Sequence, residues 1–379
     1  MSGAGIGRRE LLLRGAAGAL AAVWLPPALA GCGAEPEQFG LHVRELAARS
    51  IAIDYASYYP PVQELRALVR ERAQRVGARV TFSDDAAGAA AQRAEFGRLT
   101  SDSSGFRVVA VAPFDAAALD PLAAEAIERG IGIVTYAVSL AHQSATITAD
   151  PARAGRLLAR NAADWAARAL PDGGDVLIVR PSPSATPPQP AASATTPDAD
   201  RSATTPAAPS GAPVADPFAP LARPWESALL EALAARAPQL RAVAATTAQS
   251  SADAEAAVAR ALRDYPGVRV VLSWNDSTAV GAASALRRAH PSGEWSGLYA
   301  GGVGAPAIAS TASLDALRDD PVLRCLVAPR LRDLANALVD VPLALLRRRR
   351  PPTAPVPLTV LTPGASQLRA FARDYRAAG

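Results

Sequence analysis

The chain has 379 residues, 50% of them hydrophobic and 20% charged, with a formal net charge of +4. That length and apolar content suit about two packed domains and exclude a disulfide-stapled miniature or a wholly disordered chain. Two cysteines and three histidines exclude a multi-cysteine zinc site or a disulfide framework. All 39 basic residues are arginine, which reads as codon bias rather than mechanism. Residues 1–31 carry three arginines and one glutamate, so without them the net charge falls from +4 to +2. A near-neutral chain of this kind argues against a nucleic-acid binder.

The N-terminus carries the most specific motif. Arg8-Arg9 precede Glu10-Leu11-Leu12-Leu13, and a weakly apolar stretch runs from Gly15 to Gly31, broken by Pro26-Pro27. A paired-arginine head on such a body resembles a twin-arginine export signal, although Leu11 stands where a Phe is usual. The closing Leu29-Ala30-Gly31-Cys32 looks like a lipobox, in which small residues admit a signal peptidase and the Cys32 thiol takes the lipid. The run is about 17 residues with two prolines, short of the ~20 a spanning helix needs. Residues 1–32 are thus expected to be a lipoprotein signal peptide and residues 33–50 a polar tether. Cys325, in Leu323-Arg324-Cys325-Leu326-Val327, is expected to be a buried, inert strand residue.

From residue 51, short β-type runs alternate with helical stretches. The strands are expected at Ile51–Asp54, Arg79–Phe82, Arg107–Ala112, Gly132–Tyr136, Asp175–Val179, Leu240–Thr246, Arg269–Ser273, Gly297–Gly301, Cys325–Ala328 and Pro357–Leu361. Helical spacing is plainest over Val62–Val76, Ala116–Arg129, Ala152–Ala169 and Thr278–Arg288, with Asp115, Asp150 and Asp276 as N-cap candidates. Continuous apolar strands separated by helices argue for parallel sheets covered on both faces, in an α/β, doubly wound, two-lobed architecture. Residues 181–220 break the rhythm, being nearly all Pro, Ala, Ser and Thr, and are expected to form a disordered insertion between a strand and a helix.

Several strings, in this order, resemble the type I periplasmic solute-binding proteins of the ribose-binding class, whose fold also forms the sensor half of LacI-type repressors. They are Val108-Val109-Ala110-Val111-Ala112-Pro113-Phe114-Asp115, Gly130-Ile131-Gly132-Ile133-Val134, Ala149-Asp150 with Ala154-Gly155-Arg156-Leu157, and Val270 to Ala282 around Trp274-Asn275-Asp276. The resemblance covers roughly residues 51–362 outside the insertion. It implies two doubly wound parallel-sheet lobes joined by a hinge and closing on a ligand. One lobe would be 51–149 plus 330–358, the other 150–329 plus 359–379, with crossovers at Asp150 and Pro329-Arg330.

In open α/β sheets ligands sit beyond the carboxyl ends of strands. That rule selects Tyr58 and Tyr59, Asp115, Trp225, Asn275 and Asp276 as ligand-binding candidates. Tyr58, Tyr59 and Trp225 would offer faces to apolar C–H patches, and Asn275 a donor and an acceptor from one amide. Each has a purely structural alternative: cleft rim for the tyrosines, helix caps for the two aspartates, and core for Trp225. Where sugar binders of the family carry an Asp-Arg pair stand Ala137-Val138, and Gly301-Gly302-Val303-Gly304 replaces Gly-Phe-Asp-Gly. Ala112 and Pro329 stand for the usual Asn and Gln. Unpaired hydroxyls would cost roughly 1–3 kcal/mol each. Either the ligand is less hydroxylated, other residues substitute, or binding is lost.

Gly302-Val303-Gly304-Ala305-Pro306-Ala307 mimics a nucleotide fingerprint but comes late in the chain, with Pro306 intruding. Arg347 to Arg350 reads as a solvated helix end. No metal site, cofactor or catalytic residue is expected, so the chain is not read as an enzyme. The resemblance implies an exported, lipid-anchored, monomeric solute-binding protein at the periplasm or cell surface. It would deliver a small sugar-like ligand to an ABC permease. The alternatives are a ligand sensor for a membrane receptor or kinase, and a degenerate fold serving as an interaction scaffold.

Overall fold

The computed structural model describes residues 51–54, 62–83, 88–182, 219–304, 308, 310–347 and 353–376. The signal peptide with Cys32, the tether, Tyr58, Tyr59 and nearly all of the 181–220 insertion lie outside them.

The first lobe begins with β1 (Ile51–Asp54), α1 (Val62–Arg75), β2 (Val80–Phe82), α2 (Ala89–Leu99) and β3 (Val108–Val111). It continues through α3 (Ala116–Glu128), β4 (Gly132–Tyr136) and β5 (Ala145–Thr148). The second lobe takes α4 (Pro151–Ala169), β6 (Gly174–Arg180), α5 (Ala219–Arg236), β7 (Leu240–Thr247) and α6 (Ser251–Asp264). Then come β8 (Val268–Ser273), α7 (Asp276–Ala289), β9 (Tyr299–Val303), α8 (Thr311–Asp319) and β10 (Leu323–Pro329). The chain returns to the first lobe for α9 (Leu331–Leu346) and β11 (Ala354–Pro355). It crosses a last time into β12 (Leu358–Leu361) and ends in α10 (Ser366–Arg376).

Two six-stranded sheets result, ordered β11-β5-β4-β3-β1-β2 and β12-β10-β9-β8-β6-β7. Among the described residues every strand pairing is parallel except β10 with β12, which is antiparallel because the chain re-enters that sheet directly from the other lobe. The expected strands appear with small shifts. The eighth, expected at Gly297–Gly301, is β9 at Tyr299–Val303, and β5 and β11 are additional.

In the first lobe α1 and α9 cover one face of the sheet. On the other face Phe96, Leu99, Leu119, Ala123 and Ala126 from α2 and α3 close over Ala52, Val109, Val111 and Ile133. Strands β1 and β3 are buried at every position, as a sheet covered on both faces requires.

The second lobe is built from small residues at close approach. A Cβ on Gly281 of α7 would collide with the carbonyl oxygen of Ser251 and lie 3.0 Å from Glu255 N, both on α6. The Gly281-Ala282 pair therefore lets the two helices touch backbone to backbone. Gly281→Ala should destabilise the fold by about 1–3 kcal/mol through overpacking. A lowered urea midpoint at unchanged m-value would show it, and an unmoved midpoint would refute the close packing.

Candidate functional site

Parallel strands place all their carboxyl ends, and the N-termini of the helices that follow, along one edge of each sheet. Those N-termini carry unpaired backbone N–H groups that need acceptors. Asp115 supplies one for α3, accepting from Ala118 N at 3.1 Å. Asp150 does so for α4 at the first crossover, accepting from Arg153 N at 3.0 Å, with Pro151 in the first turn. Ser250 and Asp253 form a reciprocal capping box on α6.

On α7 the cap is Asn275 and not Asp276. Asn275 is the last extended residue after β8, and its Oδ1 accepts from Thr278 N at 2.7 Å and from Ser277 Oγ at 2.9 Å. Asp276 is instead the first helical residue, 2% exposed. The cap uses only the oxygen of the Asn275 amide. Its Nδ2 makes no hydrogen bond among the described residues, so Asn275 retains a donor at the strand edge. Beneath it runs β9, where a Cβ on Gly302 would lie 2.6 Å from the Asn275 carbonyl oxygen and 2.7 Å from Ala279 Cβ. Close packing under α7 thus accounts for Gly302 in the string that mimicked a nucleotide fingerprint.

The other candidates fall in different places. Asp115 is an exposed cap. Trp225 is fully buried, its ring set edge-on to Trp274 with centroids 5.5 Å apart, so it offers no open stacking face in this structure. Trp225 Nε1 and Ser273 Oγ, at the end of β8, are buried without hydrogen-bond partners. At the end of β6, Arg180 donates to Glu226 of α5 at 2.8 Å.

The first lobe holds a polar cluster that the sequence reading passed over. Asp54 ends β1 at 0% exposure, taking one hydrogen bond from Ser83 Oγ at 3.0 Å, while its Oδ2 has no hydrogen-bond partner among the described residues. Beside it, buried Gln92 donates to the Ala112 carbonyl at 2.9 Å and accepts from Phe114 N at 2.7 Å, fixing the turn that follows β3. Burial pushes the Asp54 carboxyl up to about 7 and Glu95 adds to it, against the lowering by Ser83 and Gln92. The available signal was a lone carboxylate closing an otherwise apolar strand, Ile51-Ala52-Ile53-Asp54.

After β4, where the family's Asp-Arg pair would stand, Ala137 adopts φ 63°. Val138 N donates to the Tyr136 carbonyl at 2.8 Å around it, closing a tight three-residue turn. A left-handed alanine is a strained choice, and such strain gathers at functional sites. Cys325 is a buried free thiol whose pKa burial pushes up to about 12, as an inert strand residue should behave. Among the described residues no group of three His, Cys, Asp or Glu side chains is placed to hold a metal.

Residues 56–194 match the family described as Periplasmic binding protein domain. The structure superposes on an ABC transporter solute-binding protein from Bacillus halodurans with bound myo-inositol, at 15% identity and TM-score 0.64, covering 87% of this chain and 99% of that one. It is similar to the Caulobacter myo-inositol binding protein (18% identity, TM-score 0.63, 85% and 97% covered). It is also similar to a Mycobacterium smegmatis protein in complex with β-D-fucofuranose (18%, TM-score 0.62, 87% and 97%). The fold is that of the type I periplasmic binding proteins. No curated sequence matches the chain significantly. Within the periplasmic-binding-protein fold, Asn275 of the second lobe and the Asp54–Ser83–Gln92 cluster of the first stand at or beside strand carboxyl ends.

Asp54 allows a check of the site's electrostatics. Its folded pKa lies above the ordinary 3.8, so the unfolded chain gives up this proton first. Stability should therefore fall as pH rises from about 4 through about 7, by roughly 4 kcal/mol at most. Asp54→Asn should flatten that part of the profile. Equal pH slopes for variant and parent in thermal unfolding would show that the carboxyl does not titrate so high.

Proposed function

We propose that the chain is an exported, lipid-anchored solute-binding protein that takes a small sugar-like or polyol ligand between its lobes and delivers it to an ABC permease. It is proposed to act as a monomer at the periplasm or cell surface and to catalyse no reaction. The observation that carries this reading is Asn275, whose amide oxygen caps α7 while its Nδ2 remains unused at a strand end. Such an amide could present a donor to a ligand hydroxyl without giving up the helix cap. Support also comes from the proteins of this fold named above, which hold myo-inositol and a furanose. Closure would follow from a ligand that contacts both lobes and so binds the closed population more tightly.

The missing Asp-Arg pair points to a ligand recognised by few charged groups. The Ala137-Val138 turn itself offers backbone groups and two apolar side chains in place of that pair. Tyr58 and Tyr59 remain proposed stacking contacts, and Asp115 and Trp225 are proposed only as supports of the loops that carry the site.

Thermal unfolding with myo-inositol, D-arabinose, D-allose and glycerol tests the proposal. A ligand at 100 times its Kd should add about 2.7 kcal/mol. Asn275→Asp keeps an acceptor for the cap and removes the amide donor. It should leave unliganded stability within about 0.5 kcal/mol while abolishing the ligand shift. Asn275→Ala should lose both, about 1 kcal/mol of it through the cap. No shift with any of the four would refute the polyol assignment and leave the sensor or scaffold roles.

The proposed anchor is tested separately. Metabolic labelling with a radioactive fatty acid should mark the parent chain and not Cys32→Ala, and equal labelling of both would exclude Cys32 as the lipidated residue.

A further inference from the structure

Helices that connect parallel strands run back against them, so their C-termini gather at the edge where the strands begin. That amino edge lies away from the capped helix N-termini and from the candidate site. In the first lobe it is studded with arginine. Arg79 and Arg107 stand one residue before Val80 and Val108, and both of those pair with Ile51, the first residue of β1. With neighbouring strands about 4.8 Å apart, the two arginines flank the point where the chain enters the sheet. Arg70 lies near the end of α1, its guanidinium 5.1 Å from the centre of the Phe82 ring. Arg347 follows the last residue of α9, whose Leu345 reaches the start of β4, 3.4 Å from where a Cβ on Gly132 would sit.

Arg70 and Arg79 share a cavity of about 500 Å³ with Gln74, Thr81, Ser104 and Phe106. Two guanidinium groups, an amide and two hydroxyls make a donor-rich lining, suited to phosphate oxygens. The neighbouring arginines of this edge are spoken for: Arg75 pairs with Glu71, Arg98 with Glu95, and Arg129 with Asp102 and Glu125. Among the described residues Arg70, Arg79, Arg107 and Arg347 have no carboxylate partner, and all four are exposed. Glu128, exposed at the end of α3, is the carboxylate left over on the other side of the account. A helix C-terminus favours arginine in its own right, which covers Arg347. It does not cover Arg79 or Arg107, which precede strands.

We propose that the amino edge of the first lobe is a docking surface for anionic phospholipid headgroups, laying that lobe against the membrane. The inference rests on the solute-binding reading for the lipid anchor at Cys32. Residues 33–50 run from that cysteine to Ile51, a span of at most ~60 Å even when fully extended. They join the sheet between Arg79 and Arg107, so the tether brings this edge, before any other part of the lobe, to the headgroups. Charge complementarity and the point of attachment thus name the same occupant. An anchor alone fixes distance, whereas free arginines around its attachment point also fix which way the lobe faces.

The test is cosedimentation with lipid vesicles, using the full chain with Cys32→Ala so that no covalent lipid contributes. Vesicles are phosphatidylcholine alone or mixed with phosphatidylglycerol. One variant carries Arg70→Gln, Arg79→Gln, Arg107→Gln and Arg347→Gln. A control carries Arg160→Gln, Arg168→Gln, Arg236→Gln and Arg263→Gln, all exposed positions of the second lobe. Both lose the same charge, and all the proteins keep residues 1–31, so binding through that apolar stretch is common to them. The parent should prefer the anionic vesicles, and each edge arginine removed should weaken that binding roughly five-fold. The preference should vanish near 1 M salt, where the Debye length is about 3 Å. Equal losses in the edge variant and the control overturn the docking surface, because net charge alone would then be acting. Equal binding of the parent to neutral and anionic vesicles overturns it too.

A second measurement needs no arginine variant to fold. A polarity-sensitive fluorophore is placed on Ser103→Cys, next to the cavity, or on Arg263→Cys in the other lobe, with buried Cys325 unlabelled. Anionic vesicles should shift the first emission and not the second. A shift of neither, or of both equally, overturns the proposal. Fatty-acid labelling at Cys32 without anionic binding would leave the anchor and remove the surface, and anionic binding without labelling would do the reverse.

Discussion

Parallel strands buried on both faces impose one constraint on which the rest of the structure depends. All strand carboxyl ends and all following helix N-termini must emerge along the same edge, and each N-terminus brings backbone N–H groups that cannot be left unpaired. The edge where a ligand can bind is therefore also where short polar side chains are needed as caps. Asp115, Asp150 and Ser250 are committed to capping, each accepting from an amide three residues on. A polar residue in such a position is first a structural requirement, and its value to a ligand is whatever hydrogen-bonding capacity the cap leaves over. Asn275 stands apart because an amide has two ends. A carboxylate cap has no donor at all, and a hydroxyl cap must donate from the same atom that accepts.

The same constraint explains what was legible in the sequence. Apolar runs such as Val108–Val111 and Val270–Leu272 announce strands buried on both sides, and both are buried within β3 and β8. Order and spacing of those runs were enough for the architecture. Strands β5 and β11 were not legible: Ala145–Thr148 alternates in burial, and β11 is two residues at a sheet edge that only the crossover places there. The cap on α7 was misplaced by one residue. Asn275 and Asp276 are both good acceptors, and only the backbone turn decides which is extended. Trp225 read equally as site or core because an aromatic early in a helix gives no facing signal, and its contact with Trp274 joins residues far apart in sequence. Asp54 was missed for a related reason. Nothing local says that Ser83 and Gln92 will close over the end of β1.

Close packing of small residues sets the geometry of the second lobe's edge. Gly302 brings β9 under the backbone of Asn275, and Gly281 brings α7 onto α6, so the helix that displays Asn275 is held on two sides by contacts that admit no side chain. Interiors packed at this density do not deform continuously. Asn275 is accordingly presented by a rigid element, and the chain passes between the two sheets at only three crossovers.

Two buried carboxyls show how differently the fold treats charge at those two places. Asp374 is surrounded by the Arg330 and Arg332 guanidinium groups and a backbone amide, so its charge is met within hydrogen-bonding distance on several sides. Asp54 has one hydroxyl, an unpaired oxygen and the like charge of Glu95 nearby, so burial favours its protonated form. Breaking a well-paired buried charge is costly, so Asp374 ties α10 firmly to Arg330 at the crossover. A poorly paired one costs little to neutralise, and a neutral carboxyl can donate as well as accept. The strand end of the first lobe is left with a carboxyl near its titration point and the apolar Ala137-Val138 turn. The charged group that remains exposed beside them is Asp115, whose carboxylate already caps α3.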